Sequence, residues 1–331
     1  MEILWIDNFT EYGTGYDGYV ALNRHYDYRY AIQDNIHLRE IILRRHPTSP
    51  LLYCGYLRHG AGFFADHLCM TKNTGNGTPR MGFTLKDWRN ATPSGWDLTY
   101  AYEIKGWGGV VSFGFGPDDK LRVVKGGGGG TRFNNLPALG ETEANAIPNG
   151  RWITLEGYVD FDKGAVKVWV DGTLLLDLDE LDLTEEETPT ASTWQLHWHR
   201  FTSNNTNSMT DLVLWTVDEG EDPTSIHDLS VIPLTADNEG DYQTLGEELL
   251  EATYLPIVPL NTIESVRLGY QALTAGHGSG EIALDVKDGT GDVLTYPTTV
   301  SGVRPLSQTH FLPGVAPPYV TTVKQEESND D

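Results

Sequence analysis

Residues 151–178 read RWITLEGYVDFDKGAVKVWVDGTLLLDL, and this stretch decides the fold class. Apolar residues recur at alternate positions in three successive runs: Ile153, Leu155 and Val159; Val166, Val168 and Val170; Leu174, Leu176 and Leu178. Such alternation predicts β-strands with one buried and one solvated face. Asp171-Gly172 suits the positive φ angles of a two-residue hairpin, and Asp162-Lys163-Gly164 forms the preceding turn. The stretch therefore predicts a three-stranded antiparallel meander.

Further strand-like segments lie on both sides of the meander. They are separated by Gly, Asn, Asp and Pro clusters, and they occupy residues 51–56, 81–85, 98–104, 110–115, 194–198 and 212–217. Aromatic residues make up 11% of the chain, with 36 glycines and 17 prolines, which is typical of many short strands joined by tight turns. We therefore predict an all-β chain whose larger part is a two-sheet antiparallel sandwich.

A change in composition indicates a domain boundary. The charged, turn-rich segment Asp218–Pro223 follows the last strand of the sandwich, and we place the boundary at about residue 225. Residues 1–225 then form the sandwich, and residues 226–331 form a smaller β-rich domain. In that second domain we expect a short helix at 245–252, strands at 265–272 and 281–286, and a mobile acidic C-terminal tail.

Charge and segment lengths exclude several classes of function. The chain has 47 acidic and 23 basic residues, and the resulting net charge of −24 argues against nucleic acid and anionic lipid as partners. No secretory leader and no apolar run long enough to span a bilayer is evident, so we expect a protein made in the cytoplasm without membrane insertion. The two cysteines, Cys54 and Cys69, are expected to be buried thiols. No cofactor is expected.

Two segments around the meander resemble a known family. The runs Asn149–Val159 and Gly164–Leu174 are similar to the Trp, β-strand, Asp-Gly hairpin of concanavalin A-like and laminin-G-like jelly rolls. Thr210–Trp215 looks like the closing strand of the same fold. The resemblance implies that the sandwich is a jelly roll.

The ends of the predicted sandwich are similar to tailed-bacteriophage structural proteins. Trp5–Tyr12 looks like the start of such domains, and Leu229–Tyr242 like the entry to their small second domain. A Trp-Thr-Pro-Ser stretch usually follows in that family, whereas residues 243–246 are Gln-Thr-Leu-Gly. The resemblance implies a non-enzymatic virion protein assembled in the host cytoplasm, such as a tail-fibre, tail-associated or capsid-attached subunit. The second domain would attach to other virion proteins or form a homo-oligomer, and we expect a trimer that multiplies weak contacts with host glycans.

An acidic run after the meander offers an enzymatic alternative. Glu180–Glu185 resembles the bulged Glu-x-Asp-x-x-Glu strand of laminarinase-like retaining glycosidases. On a strand, Glu180 and Asp182 share a face, and a bulge would bring Glu185 onto it as a catalytic carboxylate. The run follows the Asp171-Gly172 hairpin, however, whereas those enzymes place it before. It also continues into the charged turn 186–189, so a solvated loop is the favoured interpretation.

Metal and phosphate sites have weaker signals. Asp177, Asp179 and Asp182 have oxygen ligands suited to calcium, but such spacing is common in acidic loops. His197 and His199 alternate as cupin-type metal ligands do, yet no glutamate follows closely, so outward-facing strand histidines are favoured. In the run 125–131 the lysine precedes five glycines, which favours a flexible loop tip over a phosphate-binding loop.

Three tryptophans are candidates for glycan contact. Trp96, Trp107 and Trp169 each lie in or beside strand-like sequence, where an exposed indole could stack on the apolar face of a sugar. Burial in the core is the ordinary fate of such rings. The sequence thus predicts a glycan-contacting structural protein, with a glycan-degrading hydrolase and a free carbohydrate-binding module as the alternatives.

Overall fold

The chain divides into two compact units, Met1–Val231 and Ile232–Asp331. The sequence placed this division near residue 225. The computed structural model describes these residues: 1–9, 26, 28–32, 39–45, 53–59, 67–89, 92, 100–127, 133, 135–184, 189–199, 207–229, 231, 234–236, 250–256, 265–272, 279–301, 306–313 and 319–325. Trp96, Glu185 and the acidic tail at 326–331 lie outside them.

The described part of the first unit is almost entirely β-structure. Its helical residues are the 3-10 turn Pro117–Asp119 and, in the described part of the following loop, Phe133 and Asn135. Its strands are β1 (Glu2–Asp7), β2 (Tyr28–Ile32), β3 (Arg39–Arg45), β4 (Tyr53–His59), β5 (His67–Asn73), β6 (Arg80–Arg89), β7 (Tyr100–Trp107), β8 (Gly109–Phe115), β9 (Leu121–Lys125), β10 (Ala138–Glu141), β11 (Trp152–Asp160), β12 (Ala165–Val170), β13 (Thr173–Leu178), β14 (Thr190–His199) and β15 (Asn207–Thr216).

These strands form two antiparallel sheets that pack together, which confirms the predicted sandwich. Sheet A has the order β13-β12-β11-β6-β15-β4-β3, and β1 also pairs with β15. Sheet B has the order β10-β9-β8-β7-β14-β5-β2. The chain alternates between the sheets, so strands distant in sequence become neighbours. For example, β6 lies between β11 and β15.

The predicted meander is present as β11, β12 and β13. Strand β11 pairs with β12, and β12 pairs with β13, in antiparallel register. Asp171 and Gly172 join the last two strands with φ angles of 48° and 78°, the left-handed backbone that the Asp-Gly pair predicted. Local sequence therefore determines this part of sheet A.

Aromatic rings fill the space between the sheets. The ring of Phe83 on sheet A lies 5.3 Å from Tyr102 and 5.4 Å from Phe113 on sheet B, measured between centroids. Tyr102 also stacks on Trp194 at 5.9 Å. All four side chains are fully buried, and the interlocking of the two inner faces holds the sandwich together.

The other face of sheet A is also buried, which corrects the expectation of one solvated face on β11. Residues 217–229 and Val231, which we call the strap, contact this outer face through Val217, Ile226 and Val231. Tyr158, Trp169 and Trp215 form an apolar cluster with Val213 and Val217, against which Ile226 and Val231 of the strap also pack. The alternating pattern identified strands correctly, but a distant segment covers the face that local sequence left open.

The second unit contains five strands in one sheet and two in another within its described residues. They are β16 (Leu234–Ala236), β17 (Leu250–Pro256), β18 (Ser265–Ala272), β19 (Ser279–Lys287), β20 (Val293–Ser301), β21 (Leu306–Pro313) and β22 (Tyr319–Gln325). The orders are β16-β17-β22-β19-β20 and β18-β21. Where the sequence predicted a helix at 245–252, residues 250–252 begin strand β17, and 245–249 lie outside the described residues. No described helix is long and apolar enough to cross a membrane.

Candidate functional site

Trp107 is the most exposed large apolar side chain in the described residues, with 70% of its surface accessible. It ends β7, and Gly108, with a φ of 78°, turns the chain into β8. The hairpin is held on both sides, because Trp107 is in register with Thr190 and Gly109 bridges to Thr184. The fold therefore presents an apolar ring on a fixed hairpin.

Glu103, Lys105 and Trp107 occupy alternate positions of β7, and we call them the β7 row. Tyr102 and Ile104 are fully buried in the sandwich interior, so the β7 row lies on the outer face of sheet B. The Glu103 side chain is only 1% exposed, and its Oε2 lies 2.9 Å from Nζ of Lys105, which is 30% exposed. The buried carboxylate thus holds the ammonium group at the Glu103 end of the row, on the same face as Trp107.

Polar groups surround Glu103 on the neighbouring strands. Ser112 on β8 and Gln195 on β14 are its direct cross-strand partners. Ser112 is fully buried, and its Oγ donates a 2.6 Å hydrogen bond to the carbonyl of Gly126, which starts the glycine run. A Cβ on Gly127 would lie 3.9 Å from Oε1 of Glu103. The base of the glycine run therefore lies beside the buried end of the β7 row.

The three tryptophans of the sequence prediction are not brought together. Trp107 is exposed, Trp96 lies outside the described residues, and Trp169 is 4% exposed within the cluster under the strap. A ring that is buried in this cluster offers no free face to a sugar. The assignment of Trp169 to a glycan-contact surface is corrected accordingly.

The acidic run does not have the geometry of a glycosidase strand. Residues 179–183 follow the end of β13 without strand pairing, and Glu180 has a left-handed φ of 57°. Asp182 is 88% exposed and lies 3.3 Å from Nζ of Lys125. Two carboxylates on one strand face, which the catalytic alternative requires, are therefore not present in the described part of this run.

The three aspartates considered as calcium ligands each have a different environment. Asp177 pairs with Lys167 at 3.3 Å, whereas Asp182 pairs with Lys125 and Asp179 is exposed. Within the described residues, no group of three or more His, Cys, Asp or Glu side chains could hold a metal ion.

The histidines and cysteines have known strand positions, but their side chains lie outside the described set. His197 is in register with Cys69, and His199 with His67, in sheet B. Cys54 lies on β4 of sheet A. Their predicted roles, as outward-facing histidines and buried thiols, therefore stay predictions.

The sequence predicted a strand at 98–104, which includes Glu103 but ends before Lys105 and Trp107, and it did not identify Glu103 and Lys105 as a site. The available signal was a charged residue at the centre of an aromatic and aliphatic strand, Tyr102-Glu103-Ile104. Its significance depends on which face of β7 is interior, and that is set by packing against sheet A rather than by local pattern.

No family model and no curated protein matches this chain. Similar solved structures include a sialidase, with a TM-score of 0.39 and 10% identity over 66% of this chain and 19% of that chain. A variant of the alginate lyase Aly36B in complex with alginate tetrasaccharide has a TM-score of 0.40 and 13% identity, covering 64% of this chain and 96% of that chain. The exoplasmic/lumenal domain of VIP36 in its Ca2+/Man3GlcNAc-bound form has a TM-score of 0.39 and 9% identity, covering 60% of this chain and 86% of that chain. The aligned part thus spans about a fifth of the sialidase.

Proposed function

We propose that this chain is a non-enzymatic glycan-binding protein and that the hairpin carrying Trp107 is its contact surface. The observation that carries the proposal is the 70% exposure of that ring on a hairpin fixed at Thr184 and Thr190. An indole face suits the apolar face of a pyranose, and the neighbouring Lys105 and Glu103 supply the few polar groups that orient such a ligand. A fixed platform also loses little conformational entropy on binding.

The biological setting that we propose is the particle of a tailed phage or related virus. Its support is the resemblance of residues 5–12 and 229–242 to structural proteins of tailed phages, together with the acidic charge of −24. In this setting the sandwich is displayed, and the second unit attaches to other virion proteins or forms a trimer. Repeated copies would then turn weak sugar contacts into firm attachment.

Glycan-array binding of the wild type and Trp107→Ala tests the contact surface. We expect the variant to bind severalfold and up to about tenfold more weakly, because an aromatic stacking contact is worth about 0.5–1.5 kcal/mol. Leu174→Ala is a matched control, since Leu174 is a 44% exposed apolar residue on a different hairpin. Equal binding by the wild type and Trp107→Ala would overturn the proposal.

Further measurements separate the competing classes. Turnover of a β-glucan that disappears in Glu180→Gln would contradict the non-enzymatic assignment, whereas binding without turnover supports it. Co-sedimentation of the chain with assembled particles supports the virion setting. Glycan binding by a chain that is absent from particles would identify a free carbohydrate-binding module instead. Light scattering of the purified chain tests the trimer.

A further inference from the structure

We infer that Lys105 is the specificity-determining residue of the Trp107 surface and that its ligand is a neutral, hydroxyl-rich glycan. This inference rests on the proposed function, because it assigns the ligand class of the same surface. The juxtaposition that carries it is the β7 row: a buried carboxylate, an ammonium group and an exposed indole at alternate positions of one strand.

The first step is the fixed position of the Lys105 ammonium group. A lysine side chain on a sheet surface ordinarily samples many rotamers. Lys105 is held at 2.9 Å from Oε2 of Glu103, and Glu103 itself is 1% exposed between Ser112 and Gln195. An ammonium group has three N–H donors, so an ion-pair contact with one carboxylate oxygen leaves donors for a ligand.

The second step is the distance from Lys105 to the stacking ring. Residues two apart on a strand are separated by about 7 Å and point to the same face. The ion pair directs the Lys105 ammonium group toward Glu103. A glycan chain stacked on Trp107 and running along the β7 row toward Glu103 therefore brings the hydroxyl groups of an adjacent sugar unit next to that ammonium group. Stacking supplies general affinity for sugars, and the directed donor selects the position of an acceptor oxygen.

The third step is the charge of the site. Glu103 and Lys105 sum to zero, and the whole chain carries −24. A polyanionic glycan would meet the repulsive field of the protein and gain no uncompensated cation. An ammonium group on the ligand cannot accept a hydrogen bond from Lys105. Neutral hydroxyl groups suit the zero net charge of the Glu103–Lys105 pair and can accept a hydrogen bond from the Lys105 ammonium group.

The test compares soluble hexasaccharides of three charge classes by calorimetry at physiological salt. Laminarihexaose and maltohexaose are the neutral probes, oligoguluronate is the anionic probe, and a chitosan hexamer is the cationic probe. We expect a neutral probe to bind best. Lys105→Met should weaken its binding at least about tenfold, which corresponds to one charge-assisted hydrogen bond. Lys105→Arg should restore most of the affinity, and Glu103→Gln should weaken binding severalfold by releasing the ammonium group.

Lys125→Met is the matched control variant. Lys125 also forms an ion pair with a carboxylate, at 3.3 Å from Asp182, and its side chain is 26% exposed. It is in register with the buried residue Val111 on β8, so it lies on the opposite face of sheet B from the β7 row. We expect the affinity of Lys125→Met for the neutral probes to equal that of the wild type.

The outcomes separate this inference from the proposed function. If Trp107→Ala loses binding while Lys105→Met and Lys105→Arg both bind like the wild type, the role of Lys105 is overturned and the proposed function stands. If neither Trp107 nor Lys105 variants lose binding, both are overturned. Tighter binding of the anionic or cationic probe overturns the ligand class. Thermal melting of each variant identifies any loss that is due to unfolding, and Lys105→Arg then serves as the deciding variant.

Discussion

The backbone amide of Ile226 donates a 2.7 Å hydrogen bond to Oε1 of Glu156, a carboxylate that is fully buried on the outer face of sheet A. Ser225 donates its hydroxyl to Oε2 of the same carboxylate, and Thr84 donates to Oε1 at 3.2 Å. Nearby, Nζ of Lys86 donates to the carbonyl of His227 at 3.0 Å. These bonds fix the strap over the apolar cluster of sheet A.

We expect Glu156→Gln to lower the free energy of unfolding by about 2–3 kcal/mol. Hydrogen bonds to a charged acceptor contribute about 1.5–3 kcal/mol, and the amide that replaces the carboxylate has only one acceptor oxygen where the carboxylate has two. Urea unfolding followed by tryptophan fluorescence measures the change. Glu143→Gln, at an exposed loop position, is the control and should stay within about 0.5 kcal/mol. An unchanged midpoint in Glu156→Gln would show that the strap does not depend on this carboxylate.

Gly82 lies where the outer cluster leaves no room for a side chain. A Cβ at this position would lie 2.3 Å from the Trp215 ring, which stacks on Tyr158 at 5.6 Å with an interplanar angle of 10°. We expect Gly82→Ala to destabilise the protein by about 1–3 kcal/mol through overpacking and to change the near-ultraviolet circular dichroism of the tryptophans. Gly77→Ala is the matched control, because a Cβ there meets nothing within 4 Å. Equal stability of the two variants would contradict this packing.

The features that sequence predicted are those set by local chemistry. The meander and the Asp171-Gly172 turn follow from alternation and from the φ angles that this residue pair tolerates. Burial of Glu156 and Trp169 does not follow from local sequence, because the strap that covers them comes later in the chain, after β15. The alternation of residues within one strand cannot predict a contact with a segment this far away in the sequence.

The different exposure of Trp107 and Trp169 shows that local sequence also could not predict which tryptophans are accessible at the candidate site. Both rings lie in strand-like sequence, yet one ends a protruding hairpin and the other is covered by the strap. The sequence could offer both as glycan contacts but could not choose between them. The sequence also could not predict that Glu103 and Lys105 lie on the outer face of sheet B, because that depends on which face of β7 packs against sheet A.

Glu141 makes acid stability dependent on an ion-pair network. Desolvation raises the pKa of Glu141, but hydrogen bonds from Lys120 and Arg122, at 2.9 and 2.7 Å, outweigh it and lower the pKa below its ordinary value of 4.5. A lowered folded-state pKa stabilises the protein above the ordinary value, and this contribution disappears as the pH falls through the folded-state pKa. We expect Glu141→Gln to cost about 0.5–1 kcal/mol at neutral pH, since the network is partly exposed.

The measurement for Glu141 is urea unfolding of the wild type and Glu141→Gln from neutral pH down to about pH 3. The difference between the two proteins should shrink below pH 4.5 and also shrink at high salt, which screens exposed charges. Glu219→Gln, at an exposed position outside this network, serves as the control. A difference that is independent of pH would mean that the ion pairs do not stabilise the fold.

Arg89 carries a buried charge at the end of the sandwich core. Its Nε lies 3.5 Å from Oδ2 of Asp87, and both side chains are almost fully buried. Its Cζ lies 4.1 Å from the ring centroid of Phe115, and its Nη2 donates to the carbonyl of Ile147 at 3.0 Å. We expect Arg89→Met to lower the free energy of unfolding by about 3–5 kcal/mol, because it leaves the Asp87 carboxylate without this cation.

A double-mutant cycle separates the charge from the packing of Arg89. Asp87→Asn keeps the shape of the carboxylate but removes its charge, so the pair Asp87→Asn with Arg89→Met should be less destabilised than the sum of the single changes. Denaturant unfolding of the four proteins gives the coupling. If the two effects simply add, the loss in Arg89→Met comes from the contacts with Phe115 and Ile147, and the buried ion pair has no net role in holding the end of the sandwich closed.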